Sequence, residues 1–262
     1  MCTILALKGV HPAAPLIIAA NRDEYYARTA SEPVLVHDAP RAIAGIDAQG
    51  GGTWMGANER GIFAGLTNQR EWSGAEADKR SRGELVMRAI ECESVDAIEA
   101  YLRTIDPRRY NSFNLMYGDA STLRVAYGRR DRPELEVVRL DDGLWVLPND
   151  RVGSVTFEKV KRAETLLEGA LPEDYDALVL HLKAVLGDHD KTPLERIEAP
   201  PADTVFTREL VRELTSICIH TAHYGTRSST IVALTPGALA SYRYAEGPAC
   251  VSELRDYTSL VR

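Results

Sequence analysis

Apolar residues along this chain follow two rhythms, and the places where one gives way to the other outline the fold. "CTILALKG" and "APLIIAANRDE" are nearly continuous apolar runs joined by the Pro-bearing "VHPA", which predicts two antiparallel strands in a hairpin. From Tyr25 to Gly52 the pattern thins into Pro, Asp and Gly punctuation, with one strand predicted at "PVLVH". "TWMGANERGIFAGLTNQR" then predicts two strands about an "NERG" turn. Helical spacing takes over in "SRGELVMRAIECE", where Leu85, Val86, Ala89 and Ile90 share one face and Ser81 with Glu84 has the form of a capping box. A second helix, "VDAIEAYLRTI", follows Ser94 and stops before Pro107. "SFNLMYG", "TLRVAYG", "ELEVVRL" and "GLWVLPN" predict a meander of short strands. Helices return in "VTFEKVKRAETLLEGAL" and "YDALVLHLKAVLGD", and "TSICIHT", "SSTIVALT" and "ALASYRYA" predict three closing strands.

Blocks of strands alternating with pairs of helices imply an α+β chain with antiparallel sheets and helices on their outer faces, because a parallel sheet needs single strands alternating with single helices. Neither an internal repeat nor a low-complexity linker divides the sequence, so its 262 residues, 45% hydrophobic, are expected to form a single domain, 1–262. The final "CVSELRDYTSLVR" is a candidate interface.

Charge narrows the partners. A net charge of -7 disfavours a polyanion-binding surface, so nucleic acid is not expected. The N-terminal apolar stretch is interrupted by Lys8, His11, Pro12 and Pro15, which argues against a membrane span or signal peptide and for a cytoplasmic protein. Cys2, Cys92, Cys218 and Cys250 show no CxxC spacing, which fits reduced thiols better than a disulfide framework or a zinc site. "CIHTAHYG" gathers Cys218, His220 and His223, but on a strand an offset of three sends the two histidines to opposite faces. They are read as satisfied strand or turn residues, "GDHDK" as a solvated helix end, and no metal or cofactor is expected. The glycines of "GIDAQGGGTW" lack the Lys-Ser/Thr of a P-loop and are expected to form a turn or lip.

The chemistry points to the start of the chain. Removing Met1 would make Cys2 the first residue, and its α-amine, with a pKa of roughly 7.7–8.0, would act as base for its own thiol. This is the cysteine counterpart of the threonine-amine variant of the catalytic triad.

"MCTILAL" with "AANRDEYYARTASEP", followed in order by "GGTWMGANERGIFAGLTNQR", "LWVLPNDRVGSVTFEKVKRA" and "HYGTRSSTIVAL", resembles the NRDE family. That family is named for Asn21-Arg22-Asp23-Glu24 and includes the transport and Golgi organisation 2 proteins. More distantly, the same landmarks look like those of cysteine N-terminal-nucleophile hydrolases of the penicillin V acylase and bile salt hydrolase type. That resemblance implies a four-layer αββα sandwich and cleavage of a non-peptide C–N bond through an acyl-thioester on Cys2. It implies Arg22 and Asp23 beside the thiol, although those enzymes space the pair three apart. Adjacent strand residues point to opposite faces, so one of the two is expected to face away. It implies oxyanion donors at Thr67 or Asn68 and at Asn149, and at Arg227 a basic residue that supports the thiolate. Trp54, Tyr25, Tyr26 and Trp72 are candidate pocket aromatics for a small-molecule substrate or hydrophobic ligand, with stretches 25–52 and 71–80 shaping the pocket. The NRDE resemblance also implies an alternative, a non-catalytic carrier of haem or of lipid and acyl-CoA species, with Cys2 or a histidine as axial ligand to haem cargo.

Overall fold

The computed structural model describes residues 2–262. The first sheet draws on both ends of the chain: β1 (Thr3–Lys8), β2 (Leu16–Tyr25), β10 (Gly143–Leu147), β11 (Tyr224–Thr235), β12 (Ala238–Glu246) and β13 (Arg255–Asp256). The second comes from the middle: β3 (Val34–Asp38), β4 (Arg41–Ala44), β5 (Met55–Asn58), β6 (Phe63–Asn68), β7 (Phe113–Gly118), β8 (Leu123–Gly128) and β9 (Glu136–Leu140). Five helices complete it: α1 (Gly83–Ile90), α2 (Val95–Leu102), α3 (Glu158–Leu166), α4 (Tyr175–Leu186) and α5 (Arg208–Glu213).

Both sheets are antiparallel, in the orders β10-β1-β2-β11-β12-β13 and β3-β4-β5-β6-β7-β8-β9. Strands β1 and β2 are apolar on both faces because both faces are covered. Ile4, Ala6, Leu16 and Ile18 meet Met55, Ala57, Phe63 and Met116 of the other sheet. Leu5, Leu7, Ile17 and Ala19 lie under Val160, Ala163, Leu178 and Leu182 of α3 and α4. On the far side, Ala64, Leu66 and Leu115 lie under Leu85, Val86, Ile98 and Leu102 of α1 and α2. The layers therefore run helix, sheet, sheet, helix, as expected. Each fully buried leucine among them contributes about 2 kcal/mol by leaving water.

Asn58 shows how the "NERG" turn is fixed. Its Oδ1 accepts the backbone N–H groups of Arg60 and Ile62, and its Nδ2 donates to the carbonyls of Ile90 and Cys92 at the end of α1. Gly61 closes the turn at φ +75°, where a Cβ would press the Ala238 carbonyl at 2.8 Å, so glycine is required twice over.

Three expectations change. "TSICIHT" is not a strand: Cys218 N–H donates to the Asp188 carbonyl, Ile219 N–H to the Thr226 hydroxyl, and the Ser216 hydroxyl to the Cys218 carbonyl. These bonds hold the segment as a turn, and β11 begins at Tyr224 instead. The capping box does not form, because Glu84 is drawn to Arg80 and the Tyr110 hydroxyl, and α1 begins at Gly83 without a side-chain cap. The two-face argument against a metal at "CIHTAHYG" loses its premise, since those residues are not on one strand. The C-terminal segment divides, with Val251 and Arg255 exposed. Tyr257, Leu260 and Val261 pack on the core between the sheets, and the Leu260 carbonyl accepts from Arg41. Strands β4 and β13 and the helix α5 are additions to the predicted elements.

Candidate active site

Strand pairing places the thiol. Thr3 pairs with Asn21 across β1 and β2, and one step further along this register Cys2 stands opposite Arg22, both on the face between the sheets. Cys2 is half-buried and lines a cavity of about 400 Å³ with Arg22, Asp23, Asp47, Trp54, Asn68 and Arg82 among its walls. The Arg22 guanidinium lies 4.5 Å from the Trp54 ring centroid and donates to Asp47 Oδ2 at 2.8 Å.

Asp47 organises this wall. Its Oδ2 also accepts from Arg28 Nε at 2.8 Å, and its Oδ1 takes the backbone N–H groups of Gln49 and Gly50 at 3.1 and 2.7 Å. The glycines of "GIDAQGGGTW" thus form a turn around one carboxylate. Gly52 packs backbone to backbone on Gly83, where a Cβ would meet the Gly83 carbonyl carbon at 2.5 Å. Burial raises the Asp47 pKa, but the Gly50 N–H and the two guanidiniums outweigh it and hold the carboxyl below its ordinary value.

Asp23 turns the other way. Its carboxylate accepts from the Thr226 hydroxyl at 2.7 Å, on the helix-covered face, while its backbone N–H favours the Cys2 thiolate. Arg22 and Asp23 therefore both serve the thiol's surroundings from opposite faces, one by side chain and one by backbone. A bulge helps, since β11 pairs Thr226 with Asp23 and Ser228 with Arg22, leaving Arg227 unpaired between them. Arg227 is carried away from the cavity, its guanidinium 5.7 Å from the Tyr26 ring centroid.

Two cations absent from the sequence reading complete the setting. Lys159 on α3 is 1% exposed and donates from Nζ to the Thr3 hydroxyl at 3.4 Å. Burial lowers its pKa, opposed by the charges of Asp23 and Cys2. Its signal was present: at helical spacing Lys159 falls four residues before buried Ala163 and beside Val160, on the apolar face. Arg82 lines the cavity within electrostatic reach of Cys2, and burial likewise lowers its pKa. For Asp23, burial raises the pKa against the pull of Lys159 and the Thr226 hydroxyl. For Cys2, burial and the Asp23 charge raise it, while the Asp23 N–H and Arg22 favour the thiolate.

Of the expected oxyanion donors, Asn68 lines the cavity; Thr67 and Asn149 stand behind it. The Thr67 hydroxyl donates to the Pro148 carbonyl at 2.7 Å and accepts from Asn114 Nδ2 at 3.0 Å. Asn149 Nδ2 donates to the Asn68 carbonyl at 2.7 Å, and the Asn149 carbonyl accepts from Arg70 N–H at 2.8 Å. These bonds stitch the end of β6 in one sheet to the end of β10 in the other.

A second cavity, about 650 Å³, opens beside the first and shares Glu24, Asn68, Ala75, Arg82 and Asn111 with it. Its walls are largely apolar: Val205, Phe206, Leu210, Leu214 and Ala222, with Tyr25, Tyr224 and His223 near them. Of the candidate aromatics, Trp54 lines the first cavity and Tyr25 the second. Trp72 backs Phe206 edge-on at 5.5 Å, and Tyr26 lies beneath Arg227. Stretches 25–52 and 71–80 both contribute walls, but the apolar side comes from the residues around α5, which the sequence reading left unassigned.

Among solved structures, this fold is similar to a Caenorhabditis elegans N-acylethanolamine-hydrolyzing acid amidase ortholog, with a TM-score of 0.55 at 16% identity over 90% of this chain and 93% of that one. It is also similar to a cysteine-to-alanine mutant of the conjugated bile acid hydrolase of Clostridium perfringens, with a TM-score of 0.50 at 13% identity over 98% and 96%. At such identities the likeness shows the N-terminal-nucleophile hydrolase fold. In sequence, the Transport and Golgi organization protein 2 homolog of Bos taurus is 33% identical over 232 residues, and that of Mus musculus 32% over 235. Each match covers 83% of this chain and 81% of the relative. The Transport and Golgi organisation 2 profile itself matches residues 1–243, and the chain belongs to that family.

Proposed function

We propose that this protein is a cysteine N-terminal-nucleophile amidohydrolase that cleaves a non-peptide amide through an acyl-thioester on Cys2. The observation that carries this reading is the register that sets Cys2 opposite Arg22, in a polar cavity that opens beside an apolar one. The reaction needs Cys2 to be the first residue; that processing concerns Met1, which lies outside the described residues. The freed α-amine takes the thiol proton, the sulfur attacks the amide carbonyl, and the C–N bond breaks as the leaving amine receives that proton. Water, deprotonated by the same amine, then hydrolyses the thioester. Asn68 is the donor placed to meet the oxyanion; Thr67 and Asn149 hold it through their bonds to the two sheet ends. Arg22 and Arg82 favour the thiolate, and Lys159 balances Asp23. Arg227 lies outside the cavity and has no part in these steps.

The two structural neighbours are named as an amidase and as a hydrolase of conjugated bile acids, which supports the reading without assigning a substrate. The apolar cavity suits an acyl chain, so the substrate class is an acyl amide. It also supports a second reading, a carrier of a hydrophobic ligand, and the family's transport name agrees with that. For haem cargo the candidate ligands are Cys2 and His223, which line the two cavities. No helix among the described residues is long and apolar enough to cross a membrane.

Intact mass of protein with an unmodified N-terminal coding sequence, before and after a limiting dose of thiol-selective electrophile, separates the readings. Loss of one methionine with a single adduct at Cys2, followed by turnover of an acyl amide, is expected. Retained methionine with labelling no faster at Cys2 than at the other cysteines overturns the hydrolase. A Soret shift on haem titration that disappears in His223→Ala would then establish the carrier.

A further inference from the structure

Three separate segments bring four ligand-type side chains together away from both cavities. His189 lies just past the end of α4, Cys218 and His220 lie on the turn before β11, and Cys250 follows β12. Their ligand atoms all lie within 4.8 Å of one another. Cys218 Sγ is 3.8 Å from Cys250 Sγ and 3.5 Å from His220 Nε2, and Cys250 Sγ is 3.4 Å from His220 Nε2. The His189 and His220 rings are 5.0 Å apart, centroid to centroid.

These distances can be compared with the edges of a coordination tetrahedron. With zinc–sulfur bonds of about 2.3 Å and zinc–nitrogen bonds of about 2.0 Å, a tetrahedron has S···S edges of about 3.8 Å and S···N edges of about 3.5 Å. The three edges involving Cys218, Cys250 and His220 have these lengths already. A disulfide would need the sulfurs at about 2.05 Å, far inside the 3.8 Å found here.

We infer that His189, Cys218, His220 and Cys250 form a tetrahedral Cys₂His₂ site for a structural zinc ion. Two thiolates and two imidazoles suit zinc by softness and geometry, and four protein ligands leave no open position for catalysis.

The frame around the site is already built. Cys218 N–H donates to the Asp188 carbonyl at 2.9 Å, next to His189. A Cβ on Gly187 would meet the Cys250 backbone at 3.2 Å, so the end of α4 and the Cys250 loop are in close contact. Asp188 is itself held by Arg162, through Nε at 3.1 Å and Nη2 at 2.7 Å. Two links then run to the strand beside the nucleophile. Asn21 Nδ2 donates to the Leu186 and Ile217 carbonyls, and Ile219 N–H donates to the Thr226 hydroxyl, which donates to Asp23. The ion would clamp the segment against which Asp23 is oriented, while taking no part in the chemistry at Cys2.

The test uses full-length, tag-free protein purified without air under a phosphine reductant. Elemental analysis is expected to find one zinc per chain. Protein stripped with a chelator and titrated with cobalt is expected to give thiolate-to-cobalt charge-transfer absorption and the intense visible bands of tetrahedral cobalt, both removed by added zinc. Cys218→Ser and Cys250→Ser each weaken the charge-transfer band, and the double variant abolishes it. His189→Ala weakens cobalt binding at least about tenfold with the thiolate band retained, and Cys92→Ser changes nothing. Folded wild-type protein that binds neither metal, cobalt bound without thiolate absorption, or a Cys218–Cys250 disulfide in the anaerobic protein each overturns the site. The wild-type spectrum decides the matter even where a cysteine variant fails to fold.

Discussion

The two adjoining cavities have opposite characters. One is walled by Arg22, Arg28, Asp47, Arg80 and Arg82 around a single thiol; the other by Val205, Phe206, Leu210 and Leu214. The charged cavity stands on strand ends locked by pairing register and by a carboxylate with four donors. The apolar one leans on a six-residue helix and its flanking loops, where Val205 is 85% exposed. Rigid strands suit a reacting group, which needs fixed geometry, whereas loops vary at little cost to the fold. On the proposed reading, chemistry and ligand choice are carried by different parts of the chain, and mutation should separate them.

The largest effect expected on that division is from Cys2→Ala, which should reduce amide turnover to background, a loss on the order of a million-fold as for other nucleophile deletions. Binding of an acyl ligand, followed by fluorescence of a labelled chain, should be retained. If both vanish together, the cavities are not independent. Next, Ala222→Trp adds bulk at an exposed position on the apolar wall. It should raise KM for long-chain substrates roughly 10- to 100-fold and leave short-chain turnover unchanged, as competing substrates of two lengths would reveal.

A smaller effect is expected from Asp47→Asn, read as a stability loss of about 2 kcal/mol in urea titration, since the carboxylate holds two guanidiniums and two backbone donors. The folded pKa of Asp47 is below its unfolded value of about 3.9. Its contribution is therefore complete above the unfolded value and lost as pH falls through the folded one. Wild type and variant should converge in stability in that acid range. The smallest effect, within about tenfold, concerns the pH profile of Cys2 labelling. Burial raises this thiol's pKa, so without a free α-amine the rate should still climb above the ordinary thiol pKa of about 8.5. With the amine as base it should level off nearer 8.

Much of the charged cavity was legible in the sequence and little of the apolar one. The hairpin of β1 and β2 rests on local apolar runs and a short turn, so the two strands were predicted as partners; Arg22 and Asp23 beside the thiol came from the resemblance, and which of them faces it is set by the register. Lys159 was harder, because its partners Thr3 and Asp23 lie far away along the chain, although its seat on an apolar helix face was a usable sign. Helix α5 has no buried residues of its own to print a periodicity. The turn at Cys218–His220 looked like a strand because Ile217, Cys218 and Ile219 are all buried. Its backbone donors go to Thr226 and Asp188, side-chain and long-range partners that no local pattern announces.

Strand order has a consequence in time. β1 lies between β10 and β2, so the strand that follows the thiol lacks its second neighbour until Gly143–Leu147 has left the ribosome. Until then one edge of that strand stays open, and only afterwards does the sheet close around it. On the proposed hydrolase reading, removal of Met1 belongs to that interval, before the sheet closes.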